Sequence, residues 1–238
     1  MKTLNSNEEN NLEIKKNNLL ASLKPSEIAD NFPLFITRQE MARYLVRYEL
    51  FKKILNVKGS IIECGVYKGA SLMFFAKMSA VYEPYAFNRE IIGFDTFAGF
   101  PSVDNKDGAL AYAGDLSDVN LEILEKSIEL FDNNRPIGHV SKIKLVKGDA
   151  VKTIPQYFIE NPHTVVAMLY LDFDIYEPTL AALKTILPRM PKGAIIVFDE
   201  LNERRWPGET LALLEALDIN KHEIKKFSED PHISYIEL

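Results

Sequence analysis

Short apolar runs at 61–62, 91–94, 143–146, 165–171 and 194–198 alternate with segments of helical period through most of this chain. Runs of this length read as buried strands, far below the roughly 20 apolar residues that a bilayer crossing needs. Strands that alternate with helices pair in parallel, because each helix carries the chain back across one face of the sheet. The end of the chain breaks the pattern. Residues 222–227 and 233–238 read as two strands about the turn Ser228-Glu229-Asp230-Pro231, which predicts a closing hairpin. The expected fold is α/β, a mostly parallel seven-stranded sheet with helices on both faces and a C-terminal antiparallel hairpin.

With 238 residues and 47% apolar composition the chain can bury one sizeable core. Lys and Arg number 28 against 34 Asp and Glu, a net charge of −6. That is the wrong sign for a surface that neutralises a phosphate backbone, so no nucleic acid partner is expected. The single cysteine, Cys64, allows no internal disulfide and no thiolate metal cluster. His139, His163, His222 and His232 show no metal-ligand spacing. No membrane partner is expected either. The Asn-, Glu- and Lys-rich opening has no apolar block of signal-peptide length, and the expected compartment is the cytoplasm.

Residues 1–30 are polar and weakly patterned and read as a flexible tail or loosely docked helix. From Thr37 the pattern changes. Thr37-Arg38-Gln39-Glu40 has the spacing of a capping box, and Met41, Leu45, Tyr48 and Ile54 follow near helical intervals, so 37–56 is expected as a helix ahead of the first strand. Residues 101–138 interrupt the strand–helix alternation with a polar stretch, Asp104-Asn105-Lys106-Asp107-Gly108, and then a helix over about 118–131. An insertion at the strand ends of a parallel sheet reads as a lid or acceptor-binding loop.

Ligands of open α/β sheets bind beyond the carboxyl ends of the strands. There the chain places Glu63-Cys64-Gly65-Val66-Tyr67-Lys68-Gly69-Ala70-Ser71 after the first strand, Asp95-Thr96 after the second and Asp149-Ala150 after the third. A dinucleotide fingerprint would carry a middle glycine that admits a pyrophosphate. Here Tyr67 holds that position and an acid precedes the first glycine, which repels phosphate and suits a cationic amino-acid end. Asp95 is placed to accept from a ribose diol and Asp149 from an adenine amino group, although each acid alone could serve as a helix N-cap. A ligand with an ammonium, a ribose and an adenine but no phosphate is S-adenosylmethionine. The expected cofactor contacts are Glu63, Gly65, Tyr67, Gly69, Ser71, Asp95, Thr96, Asp149, Ala150 and Asp172.

A second group of acids closes the next two strands. Asp172 and Asp174 lie two apart in Leu171-Asp172-Phe173-Asp174-Ile175-Tyr176-Glu177-Pro178-Thr179, and Asp199-Glu200 ends the fifth strand. Strands joined by one helix are usually neighbours, so these carboxylates are expected to converge. Like charges held close need protons, basic side chains or a metal. An oxygen-only set selects a hard cation, Mg2+, and the alternative is a salt-bridge network with Arg204 and Arg205.

With both groups in hand, the chain resembles the macrocin O-methyltransferase family, Rossmann-like class I enzymes that use S-adenosylmethionine. The resemblance rests on the Glu63–Ser71 stretch, on Gly93-Phe94-Asp95-Thr96-Phe97-Ala98-Gly99-Phe100-Pro101 and on the Asp172–Thr179 stretch. Leu187-Pro188, Gly193 and Asp199-Glu200 before Trp206-Pro207-Gly208 add to it. It implies a methyltransferase domain over 31–238, Mg2+ held by Asp172, Asp199 and Glu200, and Asp174 as general base. It also implies a homodimer or larger homo-oligomer and, as acceptor, a hydroxyl of a sugar or glycosylated small molecule. Glu200 departs from the second Asp that the family usually has, and 1–30 have no counterpart. Two rivals from other classes share the scaffold: a cofactor-binding protein without transferase activity, and a metal-dependent hydroxylase or hydrolase.

Overall fold

The computed structural model describes residues 7–238, which divide into two units, a first that ends at Tyr44 and a second, Leu45–Leu238. In the first, α1 (Asn7–Leu20) and α2 (Pro25–Asp30) precede the start of α3 (Arg38–Lys53). The stretch expected as a tail is thus helical over α1 and α2, and the first six residues lie outside those described. The capping box forms. The Glu40 amide donates to Thr37 Oγ1 at 3.1 Å, and the Thr37 amide donates back to the Glu40 carboxylate at 2.5 Å.

The second unit holds the rest of α3 and the alternating elements. In chain order these are β1 (Ser60–Cys64), α4 (Ala70–Tyr82), β2 (Ile91–Asp95), α5 (Leu121–Asn133), β3 (Ile143–Lys147) and α6 (Ala150–Glu160). They continue with β4 (Val166–Leu171), α7 (Tyr176–Ile186), β5 (Ile195–Phe198), α8 (Gly208–Ala216), β6 (Ile224–Lys226) and β7 (Ser234–Glu237). The sheet order is β3-β2-β1-β4-β5-β7-β6. Strands β1 to β5 pair in parallel, and β7 runs antiparallel to both β5 and β6, the expected hairpin.

Alternation along each strand explains why both faces are apolar. Ile61, Ile91, Met168, Tyr170, Ile195 and Val197 pack in one cluster with Leu50, Phe51, Ile54 and Phe75. Their chain neighbours Ile62, Ile92, Leu169, Leu171, Ile196 and Phe198 pack in the other with Ile154, Phe158, Leu183 and Ile186. A parallel sheet covered on both sides needs this continuous apolarity, and each side chain so buried stabilises the fold by about 1.5–3 kcal/mol. The part of α3 in this unit differs from expectation. Its buried stripe is Val46, Leu50 and Phe51, continued by Ile54 just past its end, whereas Leu45 is half exposed. No helix among the described residues is long and apolar enough to cross a membrane.

The chain runs outward from β1 through β2 to β3, then returns to the other side of β1 for β4. Such a reversal opens a crevice at the carboxyl ends of β1 and β4. Both groups of acids lie along that edge.

Candidate active site

The turn after β1 is shaped by the chain itself. Gly65 has φ 91°, and a Cβ there would lie 1.9 Å from the Asp172 carbonyl oxygen, while one on Gly69 would lie 2.4 Å from Leu124 Cδ1. The space the two glycines leave is taken by the segment that follows β4 and by a side chain of α5. The Asp172 amide continues the β1–β4 ladder by donating to the Cys64 carbonyl at 2.8 Å.

Asp95 at the end of β2 binds this turn in place. One carboxylate oxygen accepts from the Val66 and Tyr67 amides, each at 2.8 Å, and the other from the Phe97 amide at 2.6 Å. A carboxylate has about four acceptor sites. Three of its sites thus fix backbone, leaving one for the expected ribose. Thr96 donates its hydroxyl to the Gly99 carbonyl at 2.6 Å and accepts from the Ala98 amide, so it shapes the start of the insertion. Asp149 takes the N-cap alternative, accepting from the Val151 amide at 3.1 Å and pairing with Lys152. Ala150 is buried in the apolar cluster beside α6. Bonds and packing thus give each of these three a structural duty alongside the expected ligand contact. Tyr67, with φ 49°, donates its hydroxyl to Asp118 at 2.6 Å, and Lys68 pairs with the same carboxylate, tying the first turn to the insertion.

Glu63 is the group on which this edge acts most strongly. It is fully buried in β1, and Ser71 donates a short hydrogen bond to one oxygen while the other has no partner. Burial pushes its pKa up to about 8; Ser71 and Arg47 pull it down, and the charges of Asp95 and Asp199 raise it further. Next to it the Cys64 thiol is buried, and burial holds it protonated.

The second group stands on β4 and β5. Leu171 pairs with Phe198 in register, so Asp172 and Asp199 leave adjacent strand ends, and the Asp199 amide donates to the Leu171 carbonyl at 3.1 Å. Phe173 turns into the core while Asp172 and Asp174 stay half buried, and Asp174 has φ 61°, a left-handed conformation that aspartate tolerates. Asp199 and Glu200 are buried. Asp199 accepts from the Tyr170 hydroxyl at 3.0 Å. The Glu200 amide donates at 3.0 Å to Glu209, a fully buried acid in the first turn of α8 whose other oxygen has no partner. Burial holds Glu209 well above the usual carboxylate range, and the charges of Asp199, Asp174 and Glu200 add to it.

The expected convergence is thus present as a shared field, with Asp199 acting on both Glu63 and Glu209. It is not a closed cage. Among the described residues no three His, Cys, Asp or Glu side chains form a preformed metal cluster, so Asp172, Asp199 and Glu200 line the edge without closing around a common point. Like charges repel, and Asp199 turns to a hydroxyl of its own. Of the two arginines in the salt-bridge alternative, Arg205 pairs with Glu203 at 3.1 Å and lies in the field of Glu200, and Arg204 is exposed. Sequence reasoning missed Glu209, because an acid in a first helical turn reads as an ordinary partner of the helix dipole.

This sheet order with acid-bearing turns along its carboxyl edge defines a class I methyltransferase-type α/β protein. Residues 36–211 match the model of the macrocin-O-methyltransferase (TylF) family, and the chain belongs to that family. The crystal structure of CalS11, calicheamicin methyltransferase, superposes with a TM-score of 0.93 at 37% identity, covering 99% of this chain and 94% of that one. A second CalS11 structure, described as a TDP-rhamnose 3'-O-methyltransferase of calicheamicin biosynthesis, matches with a TM-score of 0.86 at 35% identity, covering 99% and 96%. A curated relative from Streptomyces olivaceus, 8-demethyl-8-(2,3-dimethoxy-alpha-L-rhamnosyl)-tetracenomycin-C 4'-O-methyltransferase, is 26% identical over 156 residues, 61% of this chain. The chain spans about half the length of that relative, 54%.

Proposed function

We propose that the chain is an S-adenosylmethionine-dependent O-methyltransferase that places a methyl group on a hydroxyl of a sugar or glycosylated metabolite, with help from Mg2+. The observation that carries this reading is the acid-lined carboxyl edge, where the charges of Asp95 and Asp199 meet at Glu63 and those of Asp174, Asp199 and Glu200 meet at Glu209. Sugar hydroxyls as acceptors are supported by the rhamnose named for CalS11 and for the tetracenomycin relative.

Residues on the edge fit both implied groups. Glu63 keeps a buried oxygen without a partner, in a negative field that suits an ammonium or sulfonium and opposes a pyrophosphate. The oxygen-only donor set suits a hard cation, and Glu209 keeps an unmatched buried oxygen beside it. Mg2+ takes one or two carboxylates and completes its shell with water and substrate, so no closed cage is needed. Asp199, Glu200 and Asp172 would hold it.

When bound, the cofactor would supply an electrophilic methyl on sulfur, and Mg2+ would supply positive charge that eases loss of the acceptor's proton. Asp174 takes the proton of the acceptor hydroxyl as the oxygen–carbon bond forms and the carbon–sulfur bond breaks. Tyr170 orients Asp199, and Asp95 locks the first turn, so the groups that align acceptor and methyl are fixed before reaction. The domain limits follow this reading, with 31–238 as the methyltransferase domain and 101–138 as its lid. It extends to a cytoplasmic homo-oligomer.

Incubation with S-adenosylmethionine, Mg2+ and TDP-rhamnose tests it. Methylated sugar nucleotide and S-adenosylhomocysteine should form in equal amounts and stop on adding EDTA. Turnover undiminished by EDTA would remove Mg2+ from the reading, and cofactor hydrolysis without a methylated product would favour the hydrolase rival.

A further inference from the structure

The helix that follows Asp174 lacks a cap of its own. Ile175, at the N-cap of α7, is apolar and makes no side-chain bond to the helix. The first amide of a helix needs an acceptor from elsewhere. That acceptor comes from the insertion, 69 residues upstream: Asp107 Oδ1 accepts from the Tyr176 amide at 2.5 Å. Its other oxygen accepts from the Asp104 amide at 2.6 Å, which folds the insertion about it. Asp107 is 1% exposed, although it stands in a polar stretch. A Cβ on Gly208 would lie 2.6 Å from the same Oδ1, so Asp107 sits where α7 and α8 both begin. Lys106 reinforces the attachment, with its ammonium 3.7 Å from the centre of the Tyr176 ring and 3.5 Å from Glu215 of α8.

From this geometry we propose that Asp107 is a positioning residue, which locks the turn 172–176 from within the insertion and so sets where the Asp174 carboxylate stands. The proposal rests on the reading of Asp174 as base. It makes the insertion more than a cover. Docking of 104–108 and placement of the base are one event, because the bond that seats the insertion is the bond that caps the helix.

Two variants and two readouts test it. Asp107→Ala removes both acceptors, whereas Asp107→Asn keeps Oδ1 for the Tyr176 amide. With TDP-rhamnose as acceptor, Asp107→Ala should lower kcat at least about tenfold, as expected for a misplaced catalytic group. KM and the affinity for S-adenosylmethionine should stay within about twofold, and Asp107→Asn should recover most of kcat. Unchanged kcat in Asp107→Ala, or equal losses in both variants together with weakened cofactor binding, would overturn the proposal. Hydrogen exchange needs no acceptor and covers the case in which TDP-rhamnose is not turned over. In Asp107→Ala the Tyr176 amide should exchange at least about tenfold faster, with Leu183 inside α7 keeping its protection. Unaltered exchange at Tyr176, or loss across all of α7, would count against it. Asp174→Asn run in parallel separates the two claims, since wild-type turnover there would defeat the base assignment whatever Asp107 does.

Discussion

Asp174 and Glu63 carry opposite demands on a carboxyl group. Asp174 is half buried on a left-handed residue and must be ionised to take a proton. Asparagine is isosteric and tolerates the same backbone, so Asp174→Asn should reduce kcat more than about 100-fold, the scale of general base catalysis, while the melting temperature stays near wild type. Glu63 is instead held largely protonated at neutral pH, with its pKa near 8 in the fold against 4.5 for a free side chain. Between those values the folded state binds the extra proton, so this group makes stability fall as pH rises, by at most about 1.4 kcal/mol per pH unit. Its contribution is fully present below pH 4.5 and lost as pH passes 8. Glu63→Gln should therefore leave urea stability nearly unchanged near pH 4.5 and raise it at pH 8, while weakening S-adenosylmethionine. A variant less stable than wild type at pH 8 would contradict the burial argument. Cys64 needs no such balance: buried in the core and kept as a thiol, it should resist alkylation until the protein unfolds.

At the scale of elements, the turns matter more than the strands they join. Asp95 serves three amides of two different turns, and sequence alone could not separate that duty from ribose binding, because both place an acid at the end of a strand. Asp95→Ala should cost about 2–4 kcal/mol of stability, since charge-assisted bonds are lost from partly buried amides, besides weakening the cofactor. Loss of affinity with unchanged unfolding would restore the purely ligand-binding role. Asp149 and Ala150 teach the same lesson from the other side: their positions were readable but their partners were not. The capping box at Thr37 was fully legible, because all its bonds lie within four residues. Asp107 and Glu209 were not, because what makes them unusual is burial by segments distant in sequence. In the chain they are ordinary acids, one in a polar loop and one in a first helical turn.

At the scale of the whole molecule, the parallel sheet and its closing hairpin could be read from the chain, since two-faced burial leaves continuous apolar runs such as 166–171. Of the sheet order, the adjacency read from the chain, β4 beside β5, is present, whereas β3 and β4, also joined by one helix, lie apart because the chain reverses across β1 and so opens the crevice. What the pattern left open was how side chains share that crevice. The charges of Asp95, Asp174, Asp199 and Glu200 make a field that acts on Glu63 and Glu209, where spacing had left protons, arginines and a metal all open as partners. A field of one sign selects ligands by charge before any detailed contact is made. Isothermal titration of the wild-type chain with S-adenosylmethionine, set beside the same titration with NADH, tests that selection most directly. Saturable heat with the sulfonium cofactor, reduced in Glu63→Gln, and none with the pyrophosphate-bearing dinucleotide is the expected result. No heat with S-adenosylmethionine, or equal binding of the dinucleotide, would contradict it.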